Sequence, residues 1–599
     1  MTRAAGAVFA LLAAATFAAF FVAQRLKHEP TAIQGVRVHD ALFSPTCGCE
    51  KRALRASFRV KRDEDVTVEV IDREGDVVRT LVRDRTVRAY RRIPTMSWDG
   101  ATDAGARAPD GGYRLRVTLH REGRTIVVPR ALTLDTTPPR PRVRGIGPNH
   151  LLPNDVGRVR ISLGQRAGAY GRLLIFRTAP GAPRLMTELP LRKGAVRASW
   201  SGRAKGRQVP AGTYLVVARW RDSAGNVGSS VPLDAHGLPV LPYGTGLRGH
   251  GGVTVRHLEI EPPRVPARPG QEIAFGVDAR GDCFRWSIHR LGNPEVVRRG
   301  RSCHTPLDVH APGEESGVYL FEAHTATHRA EVPFAVQAAK PAKALVVLPL
   351  LTWQGRNPVD DDGDGAPDTL DRGVASATAR VLAGGRLPHG FAAAEGPLLA
   401  FLQSRHRRFD VTTDYALATG TGPALAGHTG VVLPGDVRWL PNAVSVALRD
   451  FARLGGRVLE IGTGSLRRGV ALSSHGTLHR PTAAAPSDVF GARLRPVVHA
   501  PTTVTNATDS IRLFAGTVTG GTGVFSGFPG YEALAAPGPR LRPVATATTS
   551  GGATVIVAAR YGRGLVIRTG LLGFATHLRS DDDAAQLVLR SMDLLDGGS

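Results

Sequence analysis

Two stretches about one hundred residues apart carry the same punctuation. The first runs Trp98-Asp99-Gly100 and then Pro109-Asp110-Gly111-Gly112-Tyr113; the second runs Trp200-Ser201-Gly202 and then Pro210-Ala211-Gly212-Thr213-Tyr214. In each, a bulky aromatic ends one strand, glycine-rich turns follow, and a tyrosine opens the next strand. Leu115, Val117 and Leu119 alternate with Arg114, Arg116 and Thr118, and Val66, Val68 and Val70 alternate with Thr67 and Glu69. That period of two puts one face of each strand in a core and the other in water. A chain with this repeat folds much of its N-terminal half as tandem β-sandwiches. Its 599 residues require further domains beside them.

The repeats resemble the Ig-like module of the flagellar hook-capping protein and of many bacterial surface proteins. Phe43-Ser44-Pro45 matches the opening of that module, and 66–75, ending Ile71-Asp72-Arg73-Glu74-Gly75, matches its strand and turn. Thr46-Cys47-Gly48-Cys49 stands where the family has an Asn-Gly-Asp-Gly run. The second copy adds Asp222-Ser223-Ala224-Gly225-Asn226, a turn common at the end of bacterial Ig repeats. Boundaries at Thr136-Thr137-Pro138-Pro139 and in the glycine-rich stretch 241–252 divide the chain. The reading is a membrane anchor or signal segment (1–24), a linker (25–36), sandwiches at 37–136 and 137–237, a second linker (238–255), a third β-rich domain (256–338) and a further domain (344–595).

Ala4 to Ala23 carries no charge and is long enough, as a helix, to cross about 30 Å of hydrocarbon. Gln24, Arg25 and Lys27 stop it. Phe21 leaves no small-x-small site at its end, which favours an uncleaved anchor over a cleaved signal peptide. Arg25 and Lys27 outnumber Arg3, against export, but long domains translocate despite such charges. The β-rich modules and paired cysteines favour the outside, so the expected location is a single-pass membrane protein with its bulk extracytoplasmic.

The net charge is +26, from 77 Lys plus Arg against 51 Asp plus Glu, and only seven of the bases are lysine. They are spread along the chain without a run of five, and aromatics are 6%, so a nucleic-acid partner is not expected. Attraction to anionic envelope polymers is consistent with such a field. Four cysteines exclude a disulfide-dense scaffold. Cys283 and Cys303 flank a strand-like stretch and suit a disulfide. Cys47 and Cys49 could form a strained loop, hold a metal, or do neither.

Arg256 to Gln337 is a third β-rich unit, with strands over 272–277 and 317–322. Beyond it, short apolar runs at 344–350, 430–433, 457–461, 554–558 and 565–569 suit strands buried on both faces, hence a mostly parallel sheet. Val444, Leu448, Phe451 and Leu454 form a helical stripe between Pro441 and Gly455-Gly456, and Asp581-Asp582-Asp583 opens a last helix. The fold class is therefore multidomain: an N-terminal membrane helix, two to three all-β sandwiches, and an α/β domain.

Leu345-Val-Val-Leu-Pro-Leu-Leu-Thr352-Trp353-Gln354, Phe409-Asp-Val-Thr-Thr-Asp414, Gly430-Val-Val-Leu433 and Gly455-Gly-Arg-Val-Leu-Glu-Ile-Gly462 resemble the large subunit of dimethylformamidase and its relatives, over roughly 257–595. The resemblance implies a C-terminal fold like class I glutamine amidotransferases. Its chemistry does not carry over. No cysteine follows Cys303, which excludes a Cys-His mechanism here. The family's Ala-Tyr-Asn after Thr-Trp-Gln is Gly355-Arg356-Asn357. Its His-Pro-Glu-Tyr-Trp loop is Gly435-Asp436-Val437-Arg438-Trp439. The head therefore reads as a non-catalytic binding or structural module, the alternative being a metal-dependent amide hydrolase. Asp436, Arg438 and Glu460, at carboxyl ends of strands, are the candidate pocket residues.

The strongest single motif is 360–371. Asp360, Asp362, Asp364, Ala366 through its carbonyl, Asp368 and Asp371 follow the order of an EF-hand loop, with Gly365 at the sharp turn. Such a loop implies a structural calcium ion. His475 and His479 lie in a loop context unsuited to zinc. Gly462-Thr463-Gly464-Ser465 could cradle an anion on its amides. Nothing in the sequence calls for an organic cofactor.

Overall fold

The alternating valines build the strand Glu64–Ile71, in which Val66, Val68 and Val70 are fully buried. In the computed structural model, which describes residues 2–28, 32–148, 150–151, 158–241, 251–313, 316–517 and 523–597, that strand lies in the larger of two sheets. The sheet runs Leu42–Phe43, Leu132–Leu134, Gly111–Leu119, Glu64–Ile71, Val77–Val87, and it shares one core with the three-stranded sheet Ile33–His39, Leu54–Val60, Met96–Trp98. The second copy repeats the plan. Val143–Gly147, Val159–Leu163 and Arg197–Trp200 form one sheet; Gly252–Val255, Gly212–Arg221, Ala169–Ala179 and Arg184–Pro190 lie in the other. Gly252–Val255 falls in the stretch read as linker and pairs with Gly212–Arg221.

The repeated residues do the same work in both copies. The indole Nε1 of Trp98 donates to the carbonyl of Ala101 at 2.9 Å, and that of Trp200 to Arg203 at 3.1 Å. The Tyr113 hydroxyl donates back to the carbonyl of Pro109, and Tyr214 donates to Pro210 at 2.6 Å. Each tyrosine thus pins its strand to the turn four residues upstream.

The third β unit has two sheets, Glu259–Glu261, Glu272–Asp278, Leu307–His310 and Val296–Ser302, Phe284–Arg290, Gly317–His324, Arg329–Val336. A disulfide joins Cys283 to Cys303 across the open end of the Phe284–Ser302 hairpin, where Phe284 pairs with Ser302. A second disulfide joins Cys47 to Cys49. Leu291, Val318, Leu320 and Ala335 of this unit belong to the same core as the domain that follows.

That last domain, the head, is built on an eleven-stranded sheet. Asp410–Thr413, Ala344–Leu348, Gly430–Leu433, Arg457–Ile461 and Gly564–Thr569 are parallel. The sheet then continues antiparallel through Thr554–Tyr561, Leu541–Thr549, Thr502–Asp509 and Val524–Phe528. It is mixed rather than mostly parallel, because Tyr561 to Gly564 is a tight hairpin and not a helical crossover. Ala344, Val346 and Leu348 face a core with the helices Glu395–Ser404 and Asp582–Leu595. Leu345 and Val347 face another core with Asn442–Arg453. Both faces of the strand are covered, which is why it reads as a continuous apolar run.

The N-terminal segment forms a helix, Thr2–His28. Phe9, Leu11, Leu12, Phe17, Phe20 and Phe21 on it are exposed. The side chains at both ends of the expected span, 4–7 and 22–23, lie outside the described residues. Among the described residues no helix is long and apolar enough to cross a membrane.

Candidate functional site

The strand Ala344–Leu348 ends at Pro349, and the short helix Leu350–Arg356 starts at once. Its amide end is held by Asp414, whose Oδ1 accepts from Leu351 N at 3.0 Å and from Tyr415 N at 2.9 Å. Burial pushes the Asp414 carboxyl up to about 8 against those hydrogen bonds. The helix presents Thr352, Trp353 and Gln354 to the interior. Thr352 Oγ1 accepts from Arg438 N at 2.9 Å, so it fixes the loop after Gly430–Leu433. Gln354 donates to the Arg380 carbonyl and accepts from Asn357 Nδ2. The Thr-Trp-Gln run is therefore scaffold for the loops around the site.

Four charged side chains converge above the parallel strands. Arg438 Nη2 lies 2.7 Å and Arg356 Nε 3.5 Å from the carboxylate of Asp371. Arg356 Nη1 is 3.7 Å and Arg438 Nη1 3.9 Å from Asp436 Oδ2. Arg438 also lies over the Trp439 ring, 5.3 Å from its centroid. Burial raises the Asp436 carboxyl, while the two arginines pull it down, and its Oδ1 has no hydrogen-bond partner. Arg356 and Arg438, from two separate segments, are thus brought to the same two aspartates.

Behind them is Glu395, 2% exposed, at the first turn of Glu395–Ser404. Trp353 Nε1 donates to its Oε1 at 3.4 Å, while Oε2 has no partner. Burial pushes its carboxyl up to about 7, and the charge of Asp436 adds to the rise. A Cβ on Gly435 would sit 2.5 Å from Glu395 Oε1, so only glycine lets this loop pass the carboxyl. Glu395 escaped sequence reasoning; the only sign was one acid between the apolar runs Phe391-Ala392-Ala393-Ala394 and Leu398-Leu399-Ala400-Phe401.

Of the three candidates at strand ends, Asp436 and Arg438 meet. Glu460 lies in a different group, fully buried with Arg568, Asp488 and Glu532. Arg467 adds a second cation, 3.2 Å from Glu532. Burial raises Glu460, with Arg568 opposing. The amide of Gly464 donates to Glu532 at 3.0 Å, and Ser465 Oγ accepts from Val437 N. Those groups of the Gly462–Ser465 turn are thus committed within the protein.

The acidic loop is brought together in part. Carboxylate oxygens of Asp360, Asp362 and Asp368 lie within 4.8 Å of one another. Gly363 and Gly365 have φ of 76° and 83°, and their amides donate to Asp360 at 2.7 and 2.9 Å. Asp364 accepts from the amide of the buried Ala366 at 2.7 Å. Asp371 is turned to Arg356 and Arg438 instead. Burial raises Asp360 to about 8, and Asp364 and Asp368 to about 6. Three crowded carboxyls of this kind fit a hard cation, which would oppose that rise.

The loop is also a contact between domains. Gly363 O accepts from Gly252 N at 3.0 Å, and Gly365 O accepts from Thr178 Oγ1 at 2.6 Å, both donors in the second sandwich.

No protein-family model matches the chain, and no match was found among curated proteins. Solved structures give partial superpositions. One is an exo-β-1,4-mannosidase from Opitutaceae bacterium strain TAV5, at 14% identity and TM-score 0.24, covering 42% of this chain and 35% of that one. This chain thus spans about a third of that enzyme's length. Another is the set of chicken CNTN1 FN1–FN3 domains, at 9% identity and TM-score 0.16, covering 51% and 98%. A structure concerned with host cell surface retention of a bacterial ice-binding adhesin gives 14% identity and TM-score 0.22, covering 51% and 97%. Likenesses at this level carry no argument about function.

Proposed function

We propose that the chain is an extracytoplasmic envelope protein, anchored by its N-terminal helix, whose head binds a ligand rather than cleaving one. In this reading the two repeats are Ig-like modules, and with the third β unit they hold a dimethylformamidase-like, amidotransferase-like head away from the membrane. The exposed phenylalanines and leucines of Thr2–His28 support the anchor. The tyrosine hydroxyls bonded back to Pro109 and Pro210 support the Ig-like assignment.

One observation carries the view of the head. Arg356 and Arg438 converge on Asp371 and Asp436 at the carboxyl ends of the parallel strands. Two guanidiniums repel a metal ion and, fixed by carboxylates, offer no nucleophile. The acidic loop holds a structural calcium ion through Asp360, Asp362 and Asp368, while its Asp371 belongs to the arginine centre. Anionic envelope polymers remain the partner the charge of +26 favours.

Glu395 favours the second reading, an amide hydrolase. A buried carboxyl raised to about 7 with one free oxygen is suited to proton transfer. The test is turnover of primary and N,N-dialkyl amides by the full chain with added iron, zinc or calcium. We expect no amine release above the uncatalysed rate; release that Glu395→Gln abolishes would establish the hydrolase instead.

A further inference from the structure

Beside the arginine pair, a cleft of about 450 Å³ opens between the head and the second sandwich. That volume is in the range of small-molecule sites. The sandwich contributes Arg177 and the turn Pro210-Ala211-Gly212; the head contributes Trp353, Arg356, Pro358, Arg386, Leu387 and His389. His257 completes the wall at the start of the third unit. The lining is apolar between the polar groups, and among the described residues no carboxylate belongs to it.

Its polar groups are disproportionately donors. Arg177 Nη2 donates to the Ala211 carbonyl at 2.6 Å, but its buried Nε has no partner. The buried Nδ1 of His257 likewise has none, although the ring stacks on His328 with centroids 4.1 Å apart. A buried guanidinium N–H without an acceptor costs stability that a negatively charged acceptor returns. The position of Arg177 is set by the backbone: a Cβ on Gly212 would come 2.9 Å from its Nε and 2.2 Å from the Ala179 carbonyl.

We propose that this cleft binds a small organic anion, its carboxylate or phosphate held by Arg177 and Arg386 and its apolar body packed between the prolines and Leu387. This rests on the reading of the head as a binding module and names its ligand class. The ligand spans two domains, so binding also tightens the seam between them.

The test is calorimetric titration of the full chain with 4-phenylbutyrate, phenyl phosphate and the neutral 4-phenylbutanamide. We expect one or both anions to bind, more weakly as salt rises, and the amide to bind at least about tenfold less well. Arg177→Met and Arg386→Met should each weaken anion binding by about tenfold or more, whereas Arg298→Met on the exposed hairpin Phe284–Ser302 should not. Should Arg177→Met fail to fold, Arg386→Met decides. Whichever anion binds tells carboxylate from phosphate. Equal binding of acid and amide, no binding of either anion at about 10 mM, or anion binding that survives both substitutions would overturn the proposal, as would binding only to a long polyanion. Ammonia released from 4-phenylbutanamide would instead sink the binding-module reading, so the two failures are distinguishable.

Discussion

At the residue scale, the most informative side chains are polar groups buried at chosen points. Tyr214 is fully buried, and desolvation pushes its hydroxyl up to about 12. Its bond to Pro210 therefore holds the neutral phenol, and Tyr214→Phe leaves a carbonyl without its partner. We expect a loss of about 1–2 kcal/mol, measured by denaturant unfolding. An unchanged midpoint would mean that the turn does not need the bond.

Glu395 tests the electrostatics. Burial pushes its folded carboxyl up to about 7, above the ordinary carboxyl value of about 4.5 that it regains on unfolding. The folded state therefore binds the extra proton between those values. The stabilisation is complete below about 4.5 and lost as pH rises through about 7. Glu395→Gln, which cannot ionise, should gain on the wild type between about pH 5 and pH 8, by on the order of 3 kcal/mol. Thermal melts at the two pH values check this, and a constant difference would show that Glu395 does not carry a raised pKa.

At the element scale, much was legible and the reasons are physical. Runs such as Arg457–Ile461 and Gly430–Leu433 are apolar because both faces are covered, and they became strands with the expected bounds. The stripe from Val444 became the helix Asn442–Arg453, and Asp581 caps Asp582–Leu595 by accepting from Ala584 N. The antiparallel half of the head's sheet was not legible. Thr502–Asp509 and Leu541–Thr549 are threonine- and alanine-rich, with weak alternation, and their pairing is long-range. The site was legible in half: Asp436 and Arg438 lay in a loop after a clear strand, but Arg177 and Glu395 reach the same region from distant elements. Asp371 fitted a ligand spacing in one dimension and a salt bridge in three.

The acidic loop has its own prediction. Chelation of calcium should lower the unfolding temperature of the full chain, because the carboxyls of Asp360, Asp362 and Asp368 then repel. Asp362→Asn, on the exposed member of the group, should remove most of that calcium dependence. A chelator-insensitive melt of the wild type would reduce the loop to an acidic turn.

At the scale of the whole molecule, the domains meet through specific contacts. The Cys47–Cys49 turn of the first sandwich sits on Gly225 of the second; a Cβ there would lie 2.5 Å from Cys49 Sγ, and φ is 104°. Ser44 Oγ donates to Asn226 Oδ1, whose Nδ2 donates to the Asp135 carbonyl at 2.8 Å. Gly225→Ala should separate the sandwiches as well as destabilise them by about 1–3 kcal/mol. Small-angle scattering would show the longer particle; an unchanged profile would mean the seam does not depend on this contact. The head in turn sits on the second sandwich through Gly363 and Gly365. Rigid presentation of a binding head is the account these seams support.

Metal content tests that account most directly. Elemental mass spectrometry on the purified full chain should find about one calcium per chain and neither iron nor zinc. Stoichiometric iron or zinc would contradict a head whose centre is a pair of arginines, and would mark it as a metal-dependent hydrolase.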